Sequence, residues 1–154
     1  MQLSEFLDFD AIKPSLSGGN KRALLQQLAQ IAAGRLNADA GEILSSVSER
    51  ERLGSTGFGQ GVAIPHGKIE GLSRIYCLFA RLTDPVGYKS IDGQPVDLVF
   101  LLLSPPDAGA EHLKALAAIS RVTRHAPTLE KMRGARSRDA LAAVLMGADE
   151  RDAA

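Results

Sequence analysis

The sequence predicts a single α/β domain, a sandwich in which helices flank a mixed β-sheet. The length of 154 residues fits one domain better than two. Amphipathic helical patterns occupy both ends of the sequence, and two short apolar runs typical of buried strands lie between them, at 75–82 and 96–103. Because helices precede and follow the strands, they can cover both faces of one sheet.

Two amphipathic helices are predicted before the strands. The first covers residues 20–36, where apolar residues recur at i, i+4 and i+7, and the turn at 17–20 supplies candidates for its N-cap. The second covers residues 39–52, with Asp39 as its N-cap. The apolar stripe of each helix indicates the face that packs on the sheet.

A glycine-rich segment separates these helices from the strands. Six glycines between positions 54 and 71 exclude a helix and indicate loops around a short strand at 62–64. Between the two buried strands, Asp84-Pro85, Val86-Gly87 and residues 91–93 are turn signals.

Three helices are predicted to close the chain. The first covers about residues 109–124, Thr128 is the candidate cap of a short second helix, and Ser137 is the candidate cap of the last. The small and polar residues 147–154 are expected to fray. Residues 1–154 are thus expected to form one domain.

The composition argues against several classes of protein. Basic and acidic residues number 18 each, so the chain lacks the net positive charge of a nucleic-acid-binding protein or a polybasic membrane surface. No apolar stretch has the length of a membrane span, and the first ten residues lack the basic segment of a secretion signal. We therefore expect a cytoplasmic protein without membrane insertion. Cys77, the single cysteine, lies in an apolar run and is expected to be buried.

The glycine-rich segment does not match the common nucleotide-binding loops. Five residues separate Gly61 from Gly67-Lys68, where a Walker A motif has four, and Ile69 stands where that motif has serine or threonine. The glycine spacing also differs from the Rossmann pattern, and no acidic cluster suits magnesium. Enzymes that use such loops are poor fits.

Ile64-Pro65-His66-Gly67 is the segment most typical of a reactive site. The proline restricts the backbone before the histidine, and the glycine leaves room beside the ring. Neutral imidazole is a good nucleophile near pH 7, because its unperturbed pKa is about 6.5. The alternative is a structural histidine that a backbone carbonyl satisfies, and the tetrapeptide alone does not decide between the two.

The other two histidines differ in position on the predicted helix 109–124. His112 falls on its inward side and in its first turn, where free N–H groups and the helix dipole favour an anion, although a histidine at the edge of the core is the alternative. His125 falls near the helix end and off the inward face, which indicates a structural or solvent-facing role. The spacing of the three histidines and Cys77 does not suit a zinc site.

An arginine is needed near any phosphorylated side chain, because the added charge must be balanced. Arg50 lies towards the buried side of the second helix, and Arg52 points away. Glu51 falls inward by the same count, so periodicity alone does not select Arg50.

Several segments together resemble the enzyme IIA proteins of the bacterial phosphotransferase system. The stretch 51–68, with Gly-Ser-Thr-Gly at 54–57 and Ala-Ile-Pro-His-Gly at 63–67, is similar to the active-site segment of the fructose/mannitol class, and within it of the nitrogen-regulatory branch. Residues 93–98 and the helix-opening pair 112–113 add to the resemblance, which spans nearly the whole chain.

The resemblance implies a fold, a site and a mechanism. The fold is a five-stranded mixed sheet between helices. His66 matches the family's phosphorylated histidine, whose Nε2 atom reacts in the related mannitol proteins; His112 matches its second active-site histidine; and Arg50, sixteen residues before His66, matches its active-site arginine. The phosphoryl donor is a phosphohistidine on a small carrier resembling HPr, called NPr in the nitrogen branch. Because phosphohistidine is itself an energetic donor, no ATP, metal or other cofactor is expected.

Three functions are compatible with these sequence features. The first is a regulatory phosphocarrier whose phosphorylation state controls partner proteins in nitrogen metabolism or potassium homeostasis, among them potassium transporters or sensor kinases. The second is a sugar-transport component that passes phosphate to the cysteine of an enzyme IIB. The lack of a fused IIB or membrane part favours the first. The third, a binding module without phosphotransfer, is disfavoured because His66, His112 and Arg50 are all present.

Overall fold

The computed structural model describes residues 1–153 as one α/β domain with a mixed sheet between two helical layers. The helices within this part are α1 (Lys21–Leu36), α2 (Ala40–Leu53), α3 (Ala110–Thr123), α4 (Ala126–Gly134) and α5 (Arg138–Ala153). The strands are β1 (Lys13–Leu16), β2 (Gly57–Gly59), β3 (Val62–Ala63), β4 (His66–Lys68), β5 (Tyr76–Val86) and β6 (Val96–Ser104). Two short 3-10 helices, Leu3–Glu5 and Phe9–Ala11, precede β1.

The sheet is ordered β1-β5-β6-β3-β2, and β4 also pairs with β6. β5 is antiparallel to β6, whereas β3 and β4 run parallel to β6 one after the other along its opposite edge. The break between them falls at Ile64 and Pro65, where the proline cannot donate to the ladder. Pairing resumes at His66, which lies opposite Leu102. The strand break therefore fixes the position of the histidine.

Each face of the sheet packs against its own set of helices. Alternate residues of β6 point to opposite faces, so Leu98, Phe100 and Leu102 join the core with α3, α4 and α5. Val99, Leu101 and Leu103 join the core with α1 and α2.

Cys77 is fully buried, as predicted, and burial raises the pKa of its thiol. Within the described residues, no helix is both long and apolar enough to cross a membrane.

The sheet has six strands where the resemblance implied five. The sequence patterns missed β1, β2 and β4, because these strands are three or four residues long and carry few apolar side chains. The turn predicted at Asp84-Pro85 is wrong. β5 continues to Val86, and the irregular pairing between Arg81 and Val86 accommodates the proline.

The predicted helices agree with the structure except at two boundaries. Asn20, Asp39 and Ser137 accept hydrogen bonds from backbone N–H groups as N-caps should. Thr128 is not a cap, because α4 begins at Ala126 with a proline in its first turn. Residues 147–153, predicted as a fraying tail, continue α5, and Ala148 is buried in the core; Ala154 lies outside the described residues.

Candidate active site

His66 is held in one orientation at the start of β4. Its side chain is buried, with the residue only 7% exposed. The Nδ1 atom lies 2.8 Å from the carbonyl oxygen of Ile64. Since a carbonyl can only accept, Nδ1 carries the proton and donates it, and the lone pair is left on Nε2. The carbonyl contact of a structural histidine is thus present, and it leaves the other nitrogen available.

Helix α2 approaches β4 closely enough to bring its side chains to His66. A Cβ atom on Gly67 would lie 2.5 Å from Oγ and 3.1 Å from Cβ of Ser46, so the close packing of α2 requires glycine there. The Ser46 hydroxyl donates to the carbonyl oxygen of Lys68 at 2.8 Å and joins the helix to the strand. One helical turn beyond Ser46, the same face carries Arg50.

Arg50 contacts His66 directly. Its Nε donates to Nε2 of His66 at 3.2 Å, and its Nη1 donates to the carbonyl oxygen of Gly54 at 2.8 Å. Arg52 points outward, as predicted: its side chain is 72% exposed and pairs with Glu49. Glu51 also lies inward, as helix periodicity predicted for both residues. Of the two, Arg50 is the one that forms a hydrogen bond with the His66 ring.

His112 faces His66 from the opposite side of the sheet edge. It is the third residue of α3, and its ring centroid lies 5.3 Å from that of His66. Its Nδ1 is 2.6 Å from Oγ of Ser104, the last residue of β6. When the Ser104 hydroxyl donates to Nδ1, Nε2 of His112 carries the proton and can donate it to an anion.

Sequence patterns did not reveal Ser104 as a residue of the site. Ser104 pairs with Lys68 across the parallel strands β4 and β6, two residues beyond the pair His66–Leu102. Only the register of these strands shows that the end of one apolar run lies beside the histidine motif. The serine is fully buried, and its hydroxyl is satisfied by His112.

Both site histidines are neutral near pH 7. Burial lowers the pKa of His66, and the charge of Arg50 lowers it further, whereas the contact with Ile64 and the charge of Glu51 oppose the shift. Burial also lowers the pKa of His112, to about 4, with His66 and Lys68 adding to the shift. His66 therefore carries one ring proton, on Nδ1, and a lone pair on Nε2, and the His112 ring is uncharged in the resting protein.

His125 makes a local contact that does not involve His66, His112 or Arg50. Its Nδ1 contacts the hydroxyl of Thr128 at 2.8 Å, a local contact in the first turn of α4. This agrees with the predicted structural role. Among the described residues, no three His, Cys, Asp or Glu side chains come together in the way that metal ligands do.

The family model for the phosphoenolpyruvate-dependent sugar phosphotransferase system, EIIA 2, matches residues 5–147 of the chain. The chain belongs to this family. A nitrogen regulatory protein of Bradyrhizobium diazoefficiens is 46% identical over 145 residues, which cover 94% of this chain and 95% of that protein. The nitrogen regulatory protein IIA-Ntr from Neisseria meningitidis superposes with a TM-score of 0.87 at 32% identity, covering 93% of this chain and 98% of that one.

These relatives assign the chain to the nitrogen-regulatory branch of the EIIA family. Similarity also extends to transport proteins. The fructose-specific EIIABC component of Bacillus subtilis is 31% identical over 147 residues, a match that covers 94% of this chain and 23% of that protein. Members of the EIIA family are phosphotransferase components, so the family and the geometry around His66 point to the same general chemistry.

Proposed function

We propose that this EIIA protein accepts a phosphoryl group on Nε2 of His66 and controls partner proteins by its phosphorylation state. The observation that carries the proposal is the contact of Nδ1 of His66 with the carbonyl oxygen of Ile64, which leaves the lone pair on Nε2 beside the guanidinium of Arg50. The donor is the phosphohistidine of an HPr-like carrier, NPr in the nitrogen branch.

The transfer is an in-line exchange between two imidazoles. The Nε2 lone pair of His66 forms the new N–P bond, the N–P bond on the carrier breaks, and the carrier imidazole takes back its electron pair. The proton on Nδ1 of His66 stays in place, held by Ile64. Catalysis therefore depends on positioning and on stabilising the charge of the equatorial oxygens.

Arg50 and His112 supply that stabilisation in the proposed mechanism. Arg50 is a cation at all relevant pH values, and its Nε group is freed from Nε2 when the new bond forms. His112 adds a neutral N–H donor from the first turn of α3, where the helix dipole also favours an anion. After transfer, the same groups hold the phosphoryl group.

Exposed apolar side chains next to these residues support contact with a partner protein. Leu53, the last residue of α2, is 85% exposed and lies three residues after Arg50. Leu113 follows His112 directly and is 66% exposed. Transfer of a PO₃⁻ unit to the neutral His66 ring, with the Nδ1 proton kept, makes the region around His66 more negative by about one unit, which alters its affinity for a partner. We expect the regulated partner proteins to act in nitrogen metabolism or potassium homeostasis.

The alternative function is that of a transport component that passes phosphate to a IIB cysteine. The similarity to the fructose-specific EIIABC component is the observation in its favour. To separate the two, the phosphorylated protein is mixed with a sugar-specific IIB domain. The regulatory proposal predicts slow transfer and no support of sugar uptake, whereas rapid transfer with restored uptake would favour the alternative.

The phosphocarrier proposal itself is tested by labelling. The protein is incubated with the upstream carriers and labelled phosphoenolpyruvate and then treated with mild acid. We expect an acid-labile label that is absent in His66→Ala. An acid-stable label, or one undiminished in that variant, would contradict the proposal.

A further inference from the structure

A buried carboxylate, that of Glu51, directly follows the site residue Arg50 on α2. The side chain of Glu51 is only 7% exposed, and both of its oxygens are bonded. Oε2 pairs with Nζ of Lys21 at 2.9 Å and accepts from the backbone N–H of Thr56 at 3.3 Å. Oε1 accepts from the hydroxyls of Thr56 and Tyr88. A buried charge with this many partners is held firmly in one place.

Residues on three separate elements meet at this carboxylate. Lys21 begins α1, Thr56 lies in the loop before β2, and Tyr88 follows β5. Lys21 also donates to the carbonyl oxygen of Tyr88 at 3.1 Å, and its ammonium lies 4.3 Å from the centre of the Tyr88 ring. Glu51 thereby ties the glycine-rich loop to the rest of the domain.

This loop leads to His66 from one side. The carbonyl oxygen of Thr56 accepts the N–H of Ile64 at 3.0 Å. The carbonyl oxygen of Ile64 in turn accepts the Nδ1 proton of His66 at 2.8 Å. The carbonyl that receives the Nδ1 proton of His66 thus belongs to a residue whose N–H is bound by Thr56, and Thr56 is bound to Glu51 through its backbone and its side chain.

The same loop also leads to His66 from the other side. Arg50 donates to Nε2 of His66 through Nε and to the carbonyl oxygen of Gly54 through Nη1. Gly54 lies two residues before Thr56, and Arg50 directly precedes Glu51 on α2. Both hydrogen-bond partners of the His66 ring are therefore connected to the short segment that Glu51 holds.

We propose that Glu51 is a positioning residue that fixes the tautomer and orientation of His66 by anchoring residues 54–56. Its effect on phosphotransfer rests on the function proposed above, whereas its effect on the His66 ring exists in the unphosphorylated protein and can be measured without any transfer. The competing interpretation is that Glu51 is one more partly buried ion pair that only stabilises the fold.

Asp8 provides the matched control for that interpretation. Its carboxylate also pairs with a cation and a tyrosine, accepting from Arg35 at 2.9 and 3.1 Å and from the hydroxyl of Tyr76 at 2.7 Å. These contacts join the N-terminal segment to α1 and β5 and do not include residues 54–56 or His66. Asp8→Asn thus removes a comparable charge while leaving the candidate site alone.

The test compares Glu51→Gln with Asp8→Asn in the full chain. Glutamine keeps the size of the side chain but offers one acceptor oxygen and two N–H donors, which cannot satisfy Lys21, Thr56 and Tyr88 together. In ¹⁵N NMR of the imidazoles, we expect His66 to carry its proton on Nδ1 in wild type and in Asp8→Asn, and to show a tautomer mixture in Glu51→Gln. We expect kcat for phosphotransfer to fall about 10- to 100-fold in Glu51→Gln alone, with KM for the carrier unchanged.

A second variant keeps the test decisive if Glu51→Gln does not fold. Thr56→Val removes one hydroxyl from the fully buried threonine and preserves its shape and its backbone N–H. We expect Thr56→Val also to give a mixture of His66 tautomers, with a smaller minor population than in Glu51→Gln. The proposal would be overturned if His66 kept its wild-type tautomer in Glu51→Gln and Thr56→Val and these variants lost only stability, as Asp8→Asn does. An altered tautomer with unchanged kcat would also overturn it. If wild type takes no label on His66, the phosphocarrier proposal fails, and the NMR comparison still decides what Glu51 does.

Discussion

Arg50 donates a hydrogen bond from Nε to Nε2 of His66 across 3.2 Å, while Nδ1 of the same ring lies 2.8 Å from the carbonyl oxygen of Ile64. The two ring nitrogens are therefore chemically distinct before any partner arrives. One carries a proton that the backbone holds, and the other presents a lone pair to a fixed cation. This asymmetry is what a histidine needs in order to accept a phosphoryl group at one defined atom.

Replacing Arg50 by alanine should slow phosphotransfer while leaving the fold intact, because Arg50 is not a core hydrophobe. Loss of one charge-assisted donor typically costs ~2.7–4 kcal/mol of transition-state stabilisation, about 10²–10³ in rate. Rates are measured by rapid quench with the phosphorylated carrier. Arg52→Ala is the matched control, because this neighbouring arginine points into solvent. Equal rates for the two variants would show that Arg50 has no special role.

His112→Ala should also slow transfer strongly, by about 10²-fold if it removes one donor to the phosphoryl oxygens. His125→Ala should behave like wild type, because His125 contacts Thr128 and not the His66 ring. Circular dichroism checks that both variants are folded. A fast His112→Ala protein would mean that the ring contact with His66 serves packing only.

Phosphorylation should raise the pKa of His112. In the resting protein, burial and the neighbouring His66 and Lys68 hold this pKa at about 4. A phosphoryl group on His66 places negative charge beside the second ring, and negative charge favours the protonated form. NMR titration of both forms measures the change, with His125 as the internal reference. An unchanged His112 pKa in the phosphorylated protein would place the phosphoryl group away from that ring.

The free energy of unfolding should depend on pH through the same histidine. The folded-state pKa of His112 is lower than its ordinary value of 6.5, so the unfolded chain binds more protons between these two values. Its contribution to stability is present above about pH 6.5 and is lost as the pH falls towards 4. Urea unfolding from about pH 7.5 to about pH 4.5 should show a shallower decline for His112→Gln than for wild type. Parallel curves would contradict the shifted pKa.

The parts of this protein that local sequence determines were predictable. Helix periodicity and N-cap residues placed α1, α2 and α5, because caps and apolar stripes act within a few residues of the chain. The reactive character of His66 was visible in Ile64-Pro65-His66-Gly67, since proline and glycine restrict and open the backbone locally. Arg50 was one of two inward residues, and the resemblance to the EIIA proteins selected it.

The remaining features depend on contacts between distant segments. Ser104 meets His112 because β6 pairs with β4 in one register, and Lys21 reaches Glu51 because α1 packs on α2. The short strands β1, β2 and β4 form only because a longer strand or a neighbouring hairpin strand accepts them. No pattern along the chain encodes these pairings, which explains why the strand count and the residues around the three site side chains required the structure.

The central claim is that His66 accepts the phosphoryl group through Nε2. The most direct measurement is ¹⁵N and ³¹P NMR of the protein labelled with ¹⁵N-histidine and phosphorylated by its upstream carriers. We predict that phosphorus couples to Nε2 of His66, that Nδ1 of this ring keeps its proton, and that His66→Ala takes up no label. Phosphorus coupled to Nδ1 of His66, or to either nitrogen of His112 or His125, would contradict the account.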